Sequence, residues 1–446
     1  MPDTSLGEVD GATKPAAAHW PGFDTGFPAR IDPLVRSTAG QRLHGELNQL
    51  FKKSDGAALP VGRPAVLGPG QRERLTEFVA AYHRMVETIV AAWRTDRRLR
   101  ETLSMPDALT ADLAAGAHPH DTRVHLARLD VLPQDDGTVK VLETNANCPG
   151  LLQFSGVAAR AWRRFLDAHG HRPPEPLPAE RELWMAQWFL RVAEAETGQR
   201  PAFVPLLREE GGNRWELDLL RDCFLALGVE SREADLRELE QGPRGVLLDG
   251  RPVRHAYLKF GIQEFCRVRS QVEPFVRAVR EGDLFVQNRQ LGRWVGDNKL
   301  CLAVLSDPRF GGLFTERDRA LVAPAIPWSR NIAHCPPETI DRIRRNPRDH
   351  VLKRPLDTRG RGVVIGRESD GRAQWKAAVG LACREGWLVQ EYCPTPQIDS
   401  GDGAGPVRHD LALGAINGEL SAVFMRTSTQ YRVNVARTGC LHPVFA

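Results

Sequence analysis

The chain has 446 residues with 60 basic and 56 acidic side chains, and its formal charge of +4 gives no reason to expect nucleic acid or an anionic membrane as a partner. Its 42% hydrophobic and 26% charged residues describe a soluble globular protein large enough for two or three domains. No apolar run approaches a membrane span, the N-terminus does not resemble a signal peptide, and the cysteines, scattered without CxxC pairs, fit reduced thiols in the cytoplasm.

Residues 1 to about 30 are rich in Gly, Pro and Ala and are expected to be poorly ordered at the start. A helical pattern covers Arg30 to Lys53, and a Pro/Gly connector runs from Leu59 to Gly70. Gln71 to Leu103 is the strongest amphipathic helix, with Leu75, Phe78, Val79, Tyr82 and Met85 at helical spacing. Residues 1–120 therefore read as an N-terminal helical section. His118, His120, Asp121 and His125 follow, without the regular spacing of a zinc site.

Leu126 to Gly150, LARLDVLPQDDGTVKVLETNANCPG, reads as two antiparallel strands. Gln134-Asp135-Asp136-Gly137 is a strong hairpin signal, because Asp-Gly supplies the positive-φ positions a tight turn needs. Arg128 and Asp130 share one face of the first strand, and Glu143 and Asn145 share one face of the second. If the strands pair around the turn, Asp130, Glu143 and Asn145 form one patch of hard oxygen donors suited to Mg²⁺, with Arg128 beside them to stabilise developing negative charge.

Helices are expected over Leu151 to Leu166 and Glu180 to Thr197, separated by a Pro-rich linker. Ala202 to Leu207, Gly245 to Leu248, Arg254 to Lys259 and Leu284 to Asn288 read as strands, with a helix over Glu216 to Leu227, which suggests a small Rossmann-like α/β unit within 196–290. Gly211-Gly212, after its first strand, is a weak candidate for a ligand-approaching turn. Basic residues are overwhelmingly Arg, so the few lysines in apolar stretches, Lys299 and Lys353, are candidates for chemistry. Asp297 can cap the helix that follows Lys299. In His350 to Gly366, a strand ending at Lys353 leads into the glycine loop Thr358-Arg359-Gly360-Arg361-Gly362, whose backbone N–H groups and arginines can cover phosphates, and then into a second strand. Gly386 to Cys393 is an apolar strand with a polar end at Gln390-Glu391-Tyr392, and Val407 to Ala446 reads as paired strands with a turn at Asn417-Gly418.

The 126–150 run resembles the metal-binding strands of the ATP-grasp ligases, with R-x-D on one strand and E-x-N followed by P-G on the next. Residues 350–366 resemble the ATP-grasp lid, and 386–393 resemble its adenine hinge. Asp297-Asn298-Lys299 resembles the start of the nucleotide-binding subdomain in glutathionylspermidine synthases, and Asp357 sits at the offset from the lid lysine where eukaryotic glutathione synthetases place an acidic metal ligand, with Asp in place of Glu. The metal strands precede lid and hinge, the reverse of the usual order. The resemblance therefore implies a mixed α/β, circularly permuted ATP-grasp fold, with core strands and helices in 121–195, a Rossmann-like substrate subdomain in 196–290, and nucleotide-binding and lid parts in 291–446.

The resemblance implies a carboxylate–amine ligase that uses ATP and two Mg²⁺ ions and forms an amide through an acyl phosphate. It implies metal ligation by Asp130, Glu143, Asn145 and Asp357. Nucleotide contacts would come from Lys299, Lys353, Arg359, Gly360, Arg361, Gly362, Gln390, Glu391 and Tyr392. Arg128 would stabilise the oxyanion, and Arg426 would hold the substrate carboxylate or the γ-phosphate, with an ion pair to Asp410 as the alternative reading of Arg426. Small-molecule acid and amine substrates, peptide or carrier-bound forms among them, a cytoplasmic location and a homodimer complete the expectation. Two other readings stay open: a phosphotransferase that stops at a phosphorylated product, and a nucleotide-binding protein without turnover.

Overall fold

The computed structural model describes residues 22–24, 26–51, 56–115, 118–147, 149–209, 214–358, 360–369, 371–399, 405–435 and 439–446. The hairpin forms as its turn residues dictate. Gly137 adopts φ +81°, its N–H donates to Gln134 O, and Gln134 N–H donates to Thr138 O. Strands Leu126–Pro133 and Val139–Asn145 extend from that turn.

The hairpin is one edge of a seven-stranded sheet. Leu126–Pro133 pairs antiparallel with Pro406–Ile416, which turns at Asn417-Gly418 into Glu419–Ser428 and on to Cys440–Phe445. Ala65–Val66 closes the far edge in parallel with Val444 and Phe445, so the N-terminal section supplies a strand as well as helices. Gln397–Asp399 flanks Pro406–Ile416.

Alternation sorts the side chains of this sheet. Leu129, Val131, Val139 and Val141 join the apolar face of helix Gln71–Ala92, where Leu75, Phe78, Val79, Tyr82 and Met85 are all buried. Tyr82 and Thr144 close that layer with a 2.7 Å hydroxyl–hydroxyl bond. Leu126, Ala412 and Phe424 face the other way, against helix Leu152–Ala168 and its buried Trp162. The long helix expected to reach Leu103 breaks after Ala92. Asp96 caps a separate helix, Arg97–Thr102, by accepting from Arg98 N–H.

The α/β unit is a parallel four-stranded sheet in the order Phe285–Val286, His255–Lys259, Leu206–Arg208, Glu233–Ala234, with helix Trp215–Ala226 among its connections. Val246–Leu248, expected beside those strands, belongs instead to a small antiparallel sheet with Glu240–Gln241 and Arg251–Val253. Asp249 and Gly250, at φ +52° and +73°, form a two-residue turn directly after it and fold the chain back locally. Gly211-Gly212 lies outside the described residues.

A second antiparallel sheet, Ser329–Asn331, Leu388–Glu391, His350–Lys353 and Val363–Ile365, packs on helix Arg372–Glu385 around Trp375. Among the described residues no helix is long and apolar enough to cross a membrane.

Asn288 fastens the hairpin to the α/β unit. It is fully buried at φ +52°; its Oδ1 accepts from Leu126 N–H at 3.0 Å, and its Nδ2 donates to Leu126 O at 2.6 Å and Ala146 O at 2.5 Å. Replacing it with Ala strands three buried backbone groups. Asn288→Ala should therefore lower unfolding free energy by about 3 kcal/mol in urea titrations; a loss below about 1 kcal/mol would contradict this role.

Candidate functional site

The site begins with an irregularity in the hairpin. Val131 stands opposite Val141, but Asp130 stands opposite Glu143, and Leu142 is the extra residue between them. A regular ladder would have placed Asp130 across from Leu142 and turned Glu143 and Asn145 to the other face. The bulge puts Glu143 and Asn145 on the face of Arg128 and Asp130. The Leu142 carbonyl accepts from the ammonium of Lys353 at 2.7 Å. The irregularity thus ties the hairpin to the second sheet.

These groups line a cavity of about 380 Å³ between the central sheet, the second sheet and the α/β unit. Arg128, Asp130, Glu143 and Asn145 form one wall, and Lys353 with Gln390, Glu391 and Tyr392 another. Arg208, Glu209, Glu216 and Lys259 line the end formed by the α/β unit.

Asp130 is held between two arginines. Arg128 bonds both of its oxygens, Nε to Oδ1 at 2.7 Å and Nη2 to Oδ2 at 2.9 Å, and Arg426 Nη2 lies 2.9 Å from Oδ2. Burial would raise this carboxyl, but the two guanidiniums outweigh burial and hold it well below the usual carboxylate range. Arg426, expected at a substrate carboxylate, is bonded in turn to Asp410 at 2.9 and 2.6 Å. Burial pushes Asp410 up to about 6 despite that partner.

Lys299, expected on the phosphates, is buried beside Glu143 and does not itself line the cavity. Its Nζ donates to Asp357 O at 2.7 Å and lies 3.4 Å from Glu143 Oε2. Burial opposes its charge, but Glu143 and Asp297 more than compensate and raise it. Asp297 does not cap the following helix, Cys301–Ser306. It accepts from Ala146 and Asn147 N–H at 2.7 and 3.0 Å, fixing the segment after the hairpin, while Asn298 Oδ1 accepts from Leu300 N–H.

Asp357, expected as a further metal ligand, is also engaged. Its Oδ1 accepts from Thr358 N–H at 2.8 Å, and Arg354 and Arg361 each approach its oxygens at 3.5 Å. In the loop, Thr358 and Gly360 line the cavity, whereas Arg361 donates to Gln263 of the α/β unit at 2.7 Å. Gly362 is at φ +65°, where a Cβ would stand 2.7 Å from that of Arg354. Arg359 lies outside the described residues. At the hinge, Gln390 Oε1 accepts from Lys353 at 2.8 Å, the Tyr392 N–H donates to Asp349 O, and Glu391 is exposed at the strand end.

The donor set fits one Mg²⁺. Glu143 is about a quarter exposed to the cavity, and Asn145 spends its amide nitrogen on a long 3.5 Å bond to Arg128 O, leaving an oxygen. One carboxylate plus an amide oxygen suits Mg²⁺ that is shared with phosphate oxygens. The oxygens of Asp130 are already partnered by guanidiniums, and Asp357 Oδ1 by the Thr358 N–H. The histidines near 118–125 behave accordingly. His125 bonds Glu196 at 2.6 Å and Asn417 at 2.8 Å, and Asp121 pairs with Arg94.

Several cavity residues escaped the sequence reading. Lys259 pairs with Glu216 at 2.5 Å, and its signal was available: one of few lysines, at the end of an apolar strand. Asp410 is marked only through Arg426, for which an ion pair to Asp410 is the alternative to a ligand, and the structure makes that pair.

No protein-family model and no curated protein sequence matches the chain. Among solved structures, it is similar to a glutathione synthetase-like effector from Globodera pallida in its apo form, with a TM-score of 0.61 and 14% identity, covering 93% of this chain and 99% of that one. The two share a fold. A D-alanyl-alanine synthetase A from Vibrio cholerae O1 biovar eltor is matched over 52% of this chain and 68% of its own, at 11% identity and a TM-score of 0.30.

Burial pushes the Lys353 ammonium down to about 8, against the attraction of Glu143. The group is charged below that pH and loses its proton as pH rises through it. The expectation that Lys353 meets the phosphates of ATP predicts an ATP affinity, measured by calorimetry, that is flat from pH 7 to about 8 and then falls, approaching tenfold per pH unit. Lys353→Met should bind weakly at pH 7 and show no further fall; a wild-type profile flat to pH 9.5 would exclude Lys353 from the phosphates.

Proposed function

We propose that the chain is an ATP-dependent ligase that joins a small-molecule carboxylate to an amine through an acyl phosphate, releasing ADP and phosphate. The observation that carries this reading is a single cavity with a buried lysine and a polar strand end on one wall, and Arg128, Glu143 and Asn145 on the facing wall. The order of the parts along the chain, hairpin first and lysine loop last, supports a circularly permuted ATP-grasp arrangement, with residues 196–290 as the substrate subdomain. A cytoplasmic location and a homodimer belong to the same reading.

The nucleotide lies along the second sheet. Its base meets the 390–392 strand end, where the Glu391 carboxylate is placed to accept ribose hydroxyls. Lys353 neutralises phosphate charge, and backbone N–H groups of the 358–362 loop cover the phosphates. Glu143 and Asn145 would hold one Mg²⁺, which when bound offsets charge on the phosphoryl oxygens. Lys299, 3.4 Å from Glu143, orients that carboxylate. The substrate carboxylate takes the γ-phosphoryl group. The amine then adds to the acyl phosphate while Arg128, aligned by Asp130, stabilises the oxyanion. The closed loop keeps water from the acyl phosphate.

Glu143→Gln keeps the shape of the side chain and removes its charge. It should reduce ADP release by at least about a hundredfold while leaving the circular dichroism spectrum unchanged; near-normal turnover would remove Glu143 from the chemistry.

A further inference from the structure

Asp130 is the most heavily partnered carboxylate on the cavity wall. Oδ1 accepts from Arg128 Nε at 2.7 Å, and Oδ2 meets Arg128 Nη2 and Arg426 Nη2, both at 2.9 Å. Arg426 continues to Asp410 through Nε and Nη2 at 2.9 and 2.6 Å. Arg128, Asp130, Arg426 and Asp410 thus form one buried row that alternates in sign and sums to zero charge. The strand register explains the reach. Asp410 stands opposite Arg426 and Ala412 opposite Asp130, so the small Ala412 side chain leaves Arg426 room to cross the intervening strand.

A carboxylate oxygen offers two lone-pair directions. Oδ2 spends both on guanidiniums, and Oδ1 spends one. Binding Mg²⁺ at about 2.0–2.1 Å would set a dication against two guanidiniums, or release both of them unpaired in a buried place. Breaking buried pairs in this way is strongly unfavourable. Glu143 has no such constraint: it is partly exposed to the cavity, and its cationic neighbour, Lys299, stands 3.4 Å away.

We propose that Asp130 is a positioning residue rather than a cation ligand: it holds Arg128 and Arg426 side by side on the cavity wall. The cavity then takes a single divalent cation, at Glu143 and Asn145, and the two guanidiniums line the wall that faces the phosphoryl group. This inference rests on the nucleotide reading of the site.

Mn²⁺ counted by electron paramagnetic resonance on the full-length protein tests it, with and without the non-hydrolysable analogue adenosine 5′-(β,γ-imido)triphosphate. Analogue binding is measured by calorimetry on the same samples. With the analogue, the wild-type protein should hold one Mn²⁺ per chain. Asp130→Asn should still hold one, with a dissociation constant within about threefold, whereas Glu143→Gln should lose about 10- to 100-fold in Mn²⁺ affinity. Analogue affinity should fall in Asp130→Asn, because its arginines are no longer held in register. Two Mn²⁺ in the wild type, falling to one in Asp130→Asn, would overturn the proposal, and so would a wild-type protein that holds none under either condition. If the analogue does not bind, the nucleotide reading fails by itself. The Mn²⁺ titration without nucleotide still decides the role of Asp130: equal losses in Asp130→Asn and Glu143→Gln overturn it. The wild-type count needs no variant, so a variant that fails to fold leaves the test standing.

Discussion

One extra residue in a strand organises this site. Leu142 interrupts the pairing of Leu126–Pro133 with Val139–Asn145, and the interruption brings Glu143 and Asn145 onto the face of Arg128 and Asp130. A bulge leaves a carbonyl out of the ladder, and a buried carbonyl without a donor is costly. Lys353, from a different sheet, donates to it. The defect that builds the acidic wall therefore also fixes the lysine that faces it.

The charges around the cavity are arranged so that few of them are buried alone. Asp130 and Asp410 alternate with Arg128 and Arg426 on one side, and Lys299 sits among Glu143, Asp297 and the Asp357 carbonyl on the other. Inside a protein such pairs interact more strongly than in water, and removing one member leaves the other at a penalty. The groups that keep freedom toward the cavity are Glu143 and Asn145, and the Lys353 ammonium, pushed down to about 8, is the cation nearest to losing its charge. The paired groups, Arg128 among them, are held in fixed positions on the wall.

Much of the framework was legible because its signals are local. Asp136-Gly137 and Asn417-Gly418 mark turns by the positive φ they require, and the spacing of Leu75, Phe78, Val79, Tyr82 and Met85 marks the helix beneath the sheet. A signal of the same kind at Asp249-Gly250 folds Val246–Leu248 into its own small sheet, although the segment reads as a strand of the α/β unit. What was not legible depends on partners distant in sequence. Nothing in the string marks Leu142 as a bulge, since that register answers to the sheet as a whole. Asp297 looks like a helix cap beside Leu300, and only the fold brings it to the backbone of Ala146 and Asn147. The pair of Arg426 with Asp410 is legible across the strand turn, but its second contact, with Asp130 two strands away, appears only in the fold. At 14% identity the shared fold carries little residue-level information, so the roles of these side chains must come from their geometry.

Under the proposed function the two walls of the cavity act on one reaction: ATP on the lysine side drives condensation of an acid and an amine on the hairpin side. The most direct measurement incubates the protein with Mg-ATP and pooled acids, amino acids, short peptides and amines, and reads nucleotides and products together by mass spectrometry. The account predicts ADP and phosphate in equal amounts with a condensation product that has lost one water, and with no ADP when either the acid or the amine pool is left out. AMP with pyrophosphate, or a stable phosphorylated substrate formed without any amine, would contradict it.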